Sequence, residues 1–245
     1  MKRIVAALVT VIVLAIPAVP VAGRSHTSYG DTIDFIRFDG AIYLSSAYLA
    51  EDGESARGAV DPGPVVGRVG STPIDPADEA AFPNEPCLWE IPDGVAPLLL
   101  PGDDIYAVQG YATTFRLAAR HRDEIVLYQV WCSDDALVGA DLFDIYGRVV
   151  SIGVTGDLSE ASGFAAITDP AALAALTDML LSGPIVPEEL ASGAPVTHQL
   201  VFTLDDGSTF RASTAPGEVL WGLGVIEVPL AFEDALVATW ENAKG

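Results

Sequence analysis

Residues 35–46, FIRFDGAIYLSS, are apolar on both faces of any strand pair they form. Phe35, Ile42 and Leu44 can point one way, and Ile36, Phe38 and Tyr43 the other. Asp39-Gly40 between the two runs predicts a hairpin, because a type I′ turn needs positive φ at both central positions. The register stays open, since two-residue and three-residue turns both leave apolar side chains on each face. Strands without a polar side belong in the middle of a layered structure, so something must cover the second face.

Further along, Ile105–Gln109 reads as a short strand, followed by a turn at Gly110 and Tyr111. Phe115, Leu117 and Ala119 alternate with Arg116 and Arg120, which predicts a strand with one buried and one wet face. His121–Glu124 reads as a polar turn, and Ile125–Trp131 again runs apolar on both faces. Residues 141–155, DLFDIYGRVVSIGVT, predict another strand pair around Gly147. In ITDPAALAALTDMLLSG, Asp169 can cap a helix with Pro170 in its first turn, where the missing N–H costs nothing. Leu173, Leu176 and Leu180 follow at helical spacing, and Ser182-Gly183-Pro184 ends the run.

HQLVFTLDDGSTFRAS is a second Asp-Gly hairpin. Leu200, Phe202 and Leu204 share a face with Phe210 and Ala212 only if the loop is odd in length. A three-residue loop, Asp205-Asp206-Gly207, with Gly207 left-handed, meets that condition. PLAFEDALVATW closes the chain as an amphipathic helix, with Leu230, Leu236, Val237 and Trp240 available for burial. The predicted fold is therefore β-rich α+β: antiparallel sheets, a central helix at about 169–182 and a C-terminal helix at about 230–241.

Residues 51–103 interrupt this pattern with nine of the seventeen prolines. Only VVGRV and CLWEI look like short strands, because proline cannot donate to a ladder. An ordered loop this long covers or binds something. It is the first candidate to cover the outer face of the opening hairpin, and the C-terminal half is the second.

The chain begins MKRIVAALVTVIVLAIPAVPVAGRSH. A short basic start, an uncharged apolar run broken by Pro17 and Pro20, and a small-residue end at Ala22-Gly23 match a secretory signal over residues 1–23. An uncleaved membrane anchor is the alternative, since the run is just long enough to span a bilayer. Arg24 stands where a bacterial lipid anchor would need Cys. The remainder divides into a β-rich module at 27–135, holding the Pro/Gly-rich loop, and an α+β module at 136–245. The expected location is secreted or extracytoplasmic.

Charge narrows the partners. The chain has 12 basic and 34 acidic residues, for a net charge of −22. Such a polyanion repels nucleic acid and anionic membrane surfaces. The remaining partners are an unidentified protein or small-molecule ligand. Cys87 and Cys132 are the two cysteines, and in an exported chain they predict one disulfide.

Reactive motifs are scarce. The chain has no GxSxG, SxxK, HExxH or P-loop, and GLG at 222–224 lacks the third glycine of a dinucleotide fingerprint. No catalytic, cofactor-binding or metal-binding residue is assigned, and no cofactor is expected. His26, His121 and His198 are far apart in sequence. Asp103-Asp104, Asp134-Asp135 and Asp205-Asp206 flank predicted strands without calcium-loop spacing, so they read as turns and acidic surface. Arg116, Arg120, His121 and Arg122 form the one basic cluster, a candidate for binding an anionic group. The competing reading pairs these arginines with Asp123, Glu124 and other local acids.

FIRFDGAIYL, IYAVQGYATTFRLAAR and EIVLYQVW together resemble a group of exported proteins and lipoproteins of bacteria. Shared features are Phe before an Asn/Asp-Gly turn, Ile-x-Tyr-Leu, Tyr-Ala-Val-x-Gly-Tyr and Phe-Arg-Leu-Ala-Ala-Arg, in blocks over residues 33–131. The resemblance implies export and brings no activity or site residues. The functional expectation is an exported, non-enzymatic binding or interaction protein of the bacterial envelope or exterior. The alternatives are an exported hydrolase using dispersed acidic residues and a structural envelope protein that hides its two-faced strands against a partner.

Overall fold

The computed structural model describes residues 34–46, 60–71, 91–121, 124–155, 165–187, 193–221 and 224–244. The signal segment 1–23, His26, Cys87, the CLWE of the predicted strand CLWEI, and Arg122 lie outside the described residues. The described chain is strand-rich, with two antiparallel sheets and helices on the second, as the pattern predicts.

The first sheet holds β1 (Phe35–Phe38), β2 (Ala41–Ser45), β3 (Pro62–Arg68), β4 (Asp104–Val108), β5 (Arg116–His121) and β6 (Glu124–Ser133), in the order β1-β2-β6-β5-β4-β3. Phe38 pairs with Ala41, so the opening turn has two residues. Asp39 and Gly40 take φ of 49° and 71°, the type I′ signature that Asp-Gly favours. Pro62 and Pro64 sit in the edge strand β3, where a missing donor is tolerated.

This sheet curls until its two edges meet. Arg37 N on β1 donates to Val95 O at 2.9 Å, and Gly94 N donates back to Arg37 O at 2.8 Å. On the other side, Gly70 N donates to Gly94 O at 2.9 Å and Ala96 N to Ser71 O at 3.4 Å. Residues 94–96 thus splice the edge of β1 to the continuation of β3. At the seam, a Cβ on Gly67 would lie 2.5 Å from Phe38 Cε2, so only glycine lets β3 come that close. The result is a small barrel filled by Ile36, Tyr43, Leu117, Ala119, Tyr128 and Val130.

Its outer face carries two apolar patches, and the Pro/Gly-rich stretch helps cover both. Phe35, Ile42 and Leu44 pack with Val95 and Ile91. Val108, Ala118 and Leu127 pack with Val60 and Tyr111. The opening hairpin is therefore buried on both sides, its inner face by the barrel and its outer face by residues 91–95.

The second sheet contains β7 (Val149–Thr155), β8 (Ala165–Ile167), β9 (Ile185–Pro187), β10 (His198–Leu204), β11 (Thr209–Ala215), β12 (Glu218–Trp221) and β13 (Gly224–Glu227), in the order β8-β7-β10-β11-β12-β13-β9. Phe202 pairs with Phe210 and Leu200 with Ala212, as an odd loop requires. Leu204 N bonds Ser208 O, and Gly207 has φ 79°.

Two helices pack on this sheet: α2 (Pro170–Ser182) and α3 (Leu230–Lys244). Asp169 caps α2 by accepting from Ala172 N at 2.9 Å. Leu173, Leu176 and Leu180 are buried as their spacing predicts. In α3 the buried anchors are Phe232 and Leu236, whereas Leu230 is exposed and lies outside the apolar stripe.

The expected strand before Gly147 does not form. Gly139–Leu142 is instead a one-turn helix, α1, held by the Asp141 carboxylate accepting from Leu137 N and Val138 N. A side chain hydrogen-bonding nearby backbone groups competes with a ladder, and here it wins. β7 pairs with β8 and β10 instead. A single apolar cluster runs from the barrel interior through Phe115 and Phe143 to Phe202, Phe210 and Trp221 of the second sheet.

Candidate functional site

Arg116 contradicts the wet face expected for β5: it is 1% exposed. The turn between β10 and β11 lands on it. Its Nη1 donates to Ser208 Oγ at 2.6 Å and its Nη2 to Gln129 Oε1 at 3.3 Å. Asp206 Oδ2 lies 3.7 Å from Nη1. The guanidinium carbon is 4.5 Å from the centre of the Tyr111 ring and 4.6 Å from that of Phe115. Arg116 thus pairs with an acid of the other half of the chain, and Asp123 lies outside the described residues.

Around this pair further hydrogen bonds converge, while Arg116 Nε and Gln129 Nε2 are buried without a hydrogen-bond partner among the described residues. Tyr111 OH donates to Asp206 Oδ2 at 2.7 Å. Ser208 N and Oγ donate to Asp206 Oδ1 at 2.8 and 2.5 Å. Arg148, just before β7, donates to Gly110 O, stacks on Tyr111 at 4.3 Å and has Nη1 3.6 Å from Asp205 Oδ1. Burial pushes the Asp206 carboxyl up, but the bonds from Ser208 and Tyr111 and the Arg116 charge outweigh it and hold its pKa low. Burial also lowers the pKa of Arg116. Two arginines meet two aspartates here, so the cluster acts as a clasp between the barrel and the second sheet.

Arg120 and His121 of the predicted basic cluster are not brought to Arg116. Arg120 is exposed on the same face, about 13 Å further along the strand. His121 belongs to the opposite, inward register, and Arg122 lies outside the described residues.

The acidic pairs have structural partners. Asp103 accepts from Leu100 N at 2.8 Å, and Asp104 from Arg68 Nε at 2.8 Å. Asp134 pairs with Arg37, whose Nε also lies 3.6 Å from Asp93 Oδ1. Among the described residues no group of three His, Cys, Asp or Glu side chains is placed to hold a metal. His198 stands edge-on to Trp240 at 5.4 Å and shares a 3.0 Å hydrogen bond with Thr197 Oγ1. Burial lowers its pKa.

Cys132 is disulfide-bonded, and Cys87 lies outside the described residues. Among the described residues no helix is long and apolar enough to cross a membrane.

Sequence reasoning missed an open groove of about 430 Å³ between the start of β7 and the first turns of α2. Tyr146, Val149 and Val150 form one wall, and Pro170, Leu173 and Ala174 the other. Thr177 and Asp178 add its polar end. Tyr146 and Val150 are 74% and 49% exposed, a concentration of apolar surface beside a concavity. The signal in the sequence was Tyr146-Gly147, an aromatic at a turn where Gly147 takes φ 70°.

Comparison with protein-family models, with curated proteins and with solved structures finds no match for this chain.

Proposed function

We propose that this chain is an exported, non-enzymatic binding or interaction protein of the bacterial envelope or exterior. The observation that carries the reading is the open groove beside Tyr146 and Val150. Its walls are apolar, it is open, and it holds one carboxylate, Asp178. That chemistry suits holding an apolar group with a polar end rather than polarising a bond. Export is supported by the leader-like pattern of residues 1–23 and by the oxidised state of Cys132, since disulfides persist outside the cytosol. Within this reading Cys132 pairs with Cys87, tying the Pro/Gly-rich stretch to the end of β6.

A photo-crosslinking phenylalanine analogue at position 146, expressed in the native host, tests the groove. Leu137, equally exposed but away from it, is the control position. A discrete adduct from position 146 and none from 137 is expected. Mass spectrometry of the same chain should show a start near residue 24 and two oxidised cysteines. A cytosolic chain with its leader intact and both thiols reduced refutes the reading.

A further inference from the structure

The groove beside Tyr146 has a backbone wall as well as side chains. β8 pairs with β7 only at Ile152, Gly153 and Val154. The chain then leaves the sheet at Thr168 and enters α2, whose first turns form the facing wall. Residues 149–151 of β7 therefore have β10 on one side and, among the described residues, no strand on the other. Their register with β10 is also irregular. Thr203 faces Ser151 and Leu204 faces Val149, so Val150 is the extra residue of a β-bulge. Such a bulge interrupts regular pairing and re-aims a side chain, and Val150 lines the groove at 49% exposure.

An open strand edge is a template on which another extended chain adds as a strand. Natural edges are guarded by charged side chains or proline, and Val149, Val150 and Ser151 are none of these. Their edge is about 10 Å long, at about 3.3 Å per residue, which suits a short extended segment. The groove lining holds no basic residue. Asp178 at its polar end is exposed and pairs with no basic side chain among the described residues. A second copy of this chain fits poorly, because each carries a charge of −22. A lipid-like molecule would cover the edge without bonding it, and polar groups that lose water unpaired cost free energy.

We propose that residues 149–151 bind an extended, basic peptide segment by strand addition, with Asp178 as the counter-ion at the end of the groove. This rests on the groove reading given above and names its occupant. Main-chain hydrogen bonds along β7 supply affinity. Alternate side chains of the segment meet Pro170, Leu173 and Ala174 across the groove. The chain's negative field draws in the basic segment and turns away acidic ones.

The probe is the capped pentapeptide Arg-Val-Thr-Val-Arg, which offers an arginine to Asp178 in either strand direction. Amide NMR shifts of the full mature chain are followed as peptide is added. Saturable shifts should centre on Val149, Val150, Ser151 and Asp178. Exchanging both arginines of the peptide for glutamate should weaken binding about tenfold or more. Asp178→Asn should weaken it about threefold, as for an exposed ion pair. Two further peptides carry N-methyl groups along one edge or the other; one should lose binding and the other keep it. Ala174→Trp, at an exposed position of the facing wall, should fill the groove and abolish binding. If Ala174→Trp does not fold, the methylated peptides on the wild-type chain decide alone. No saturable shift at millimolar peptide, equal binding of the glutamate peptide, or undiminished binding of both methylated peptides or by a folded Ala174→Trp chain would overturn the proposal. So would a dimer of the chain formed through this edge. The crosslinking test at position 146 separates the two readings. An adduct there without peptide binding overturns strand addition and keeps the groove, and loss of both overturns both.

Discussion

Arg116 Nη1 and Asp206 Oδ2 lie 3.7 Å apart, one fully buried in the barrel wall and the other 42% exposed in a turn of the second sheet. That asymmetry fixes which partner the fold can lose. Removing Asp206 strands a buried cation, whereas removing Arg116 leaves a carboxylate that water can reach. Asp206→Ala is expected to cost about 2 kcal/mol and Arg116→Met about 1 kcal/mol. The double variant should regain part of the loss, a coupling that urea unfolding of all four chains measures. Equal and additive losses would mean that the pair is not a clasp.

Two aspartates should give opposite pH slopes. The folded-state pKa of Asp206 is depressed, so its contribution is present above the ordinary value and is lost as pH falls through the folded one. Asp206→Ala should flatten the acid limb of thermal stability below the ordinary carboxylate value of 3.8. The folded-state pKa of Asp34 is raised, so the native state keeps a proton that the unfolded chain has released. Stability then declines as pH rises from the ordinary value of 3.8 through the folded one, and Asp34→Asn should remove that decline.

Gly183 and Gly139 should not tolerate a methyl group. A Cβ on Gly183 would stand 2.4 Å from Glu227 O, and one on Gly139 2.2 Å from Leu180 O. Both obstacles are backbone, so the chain itself must move. Each alanine substitution is expected to cost about 1–3 kcal/mol or more. Unfolding midpoints equal to wild type would show that these approaches are looser than described.

Val95 should matter more than its place in a loop suggests. It is 1% exposed and lies on Phe35, Ile42 and Leu44. Val95→Ala is expected to cost about 2 kcal/mol and to raise binding of a hydrophobic dye. A loss no larger than for an exposed valine such as Val65 would show that this cover is dispensable.

Reduction of the chain should destabilise it by about 4 kcal/mol in the chain-entropy model for a loop closed between Cys87 and Cys132. Denaturant midpoints with and without a reductant measure this. No difference would mean that these two cysteines are not joined.

What the sequence made legible was local. Asp39-Gly40 and Asp206-Gly207 announce their turns because few residues accept positive φ, and Asp169-Pro170 announces a helix start through a donor count. The double-sided burial of residues 35–46 was legible as a need, and the Pro/Gly-rich stretch as what meets it. The site chemistry was not. Arg116 looks wet beside Leu117 and Ala119, and only the arrival of Asp206 and Ser208 from the other half makes it a buried cation. Asp141 likewise turns an apparent strand into a helical turn by bonding backward to Leu137 and Val138.

The spliced barrel also sets a timetable. β1 and β2 are made first, yet β2 has its second neighbour in β6, which ends at Ser133. The splice at residues 94–96 joins two edges that only β4, β5 and β6, all made later, connect through the sheet. Such distant pairing places loop closure ahead of reward, so assembly should be slow beside that of a helical domain of this size. Until Ser133 has emerged, the barrel cannot shut, and its early strands must stay loose and unaggregated on the strength of the chain's abundant negative charge.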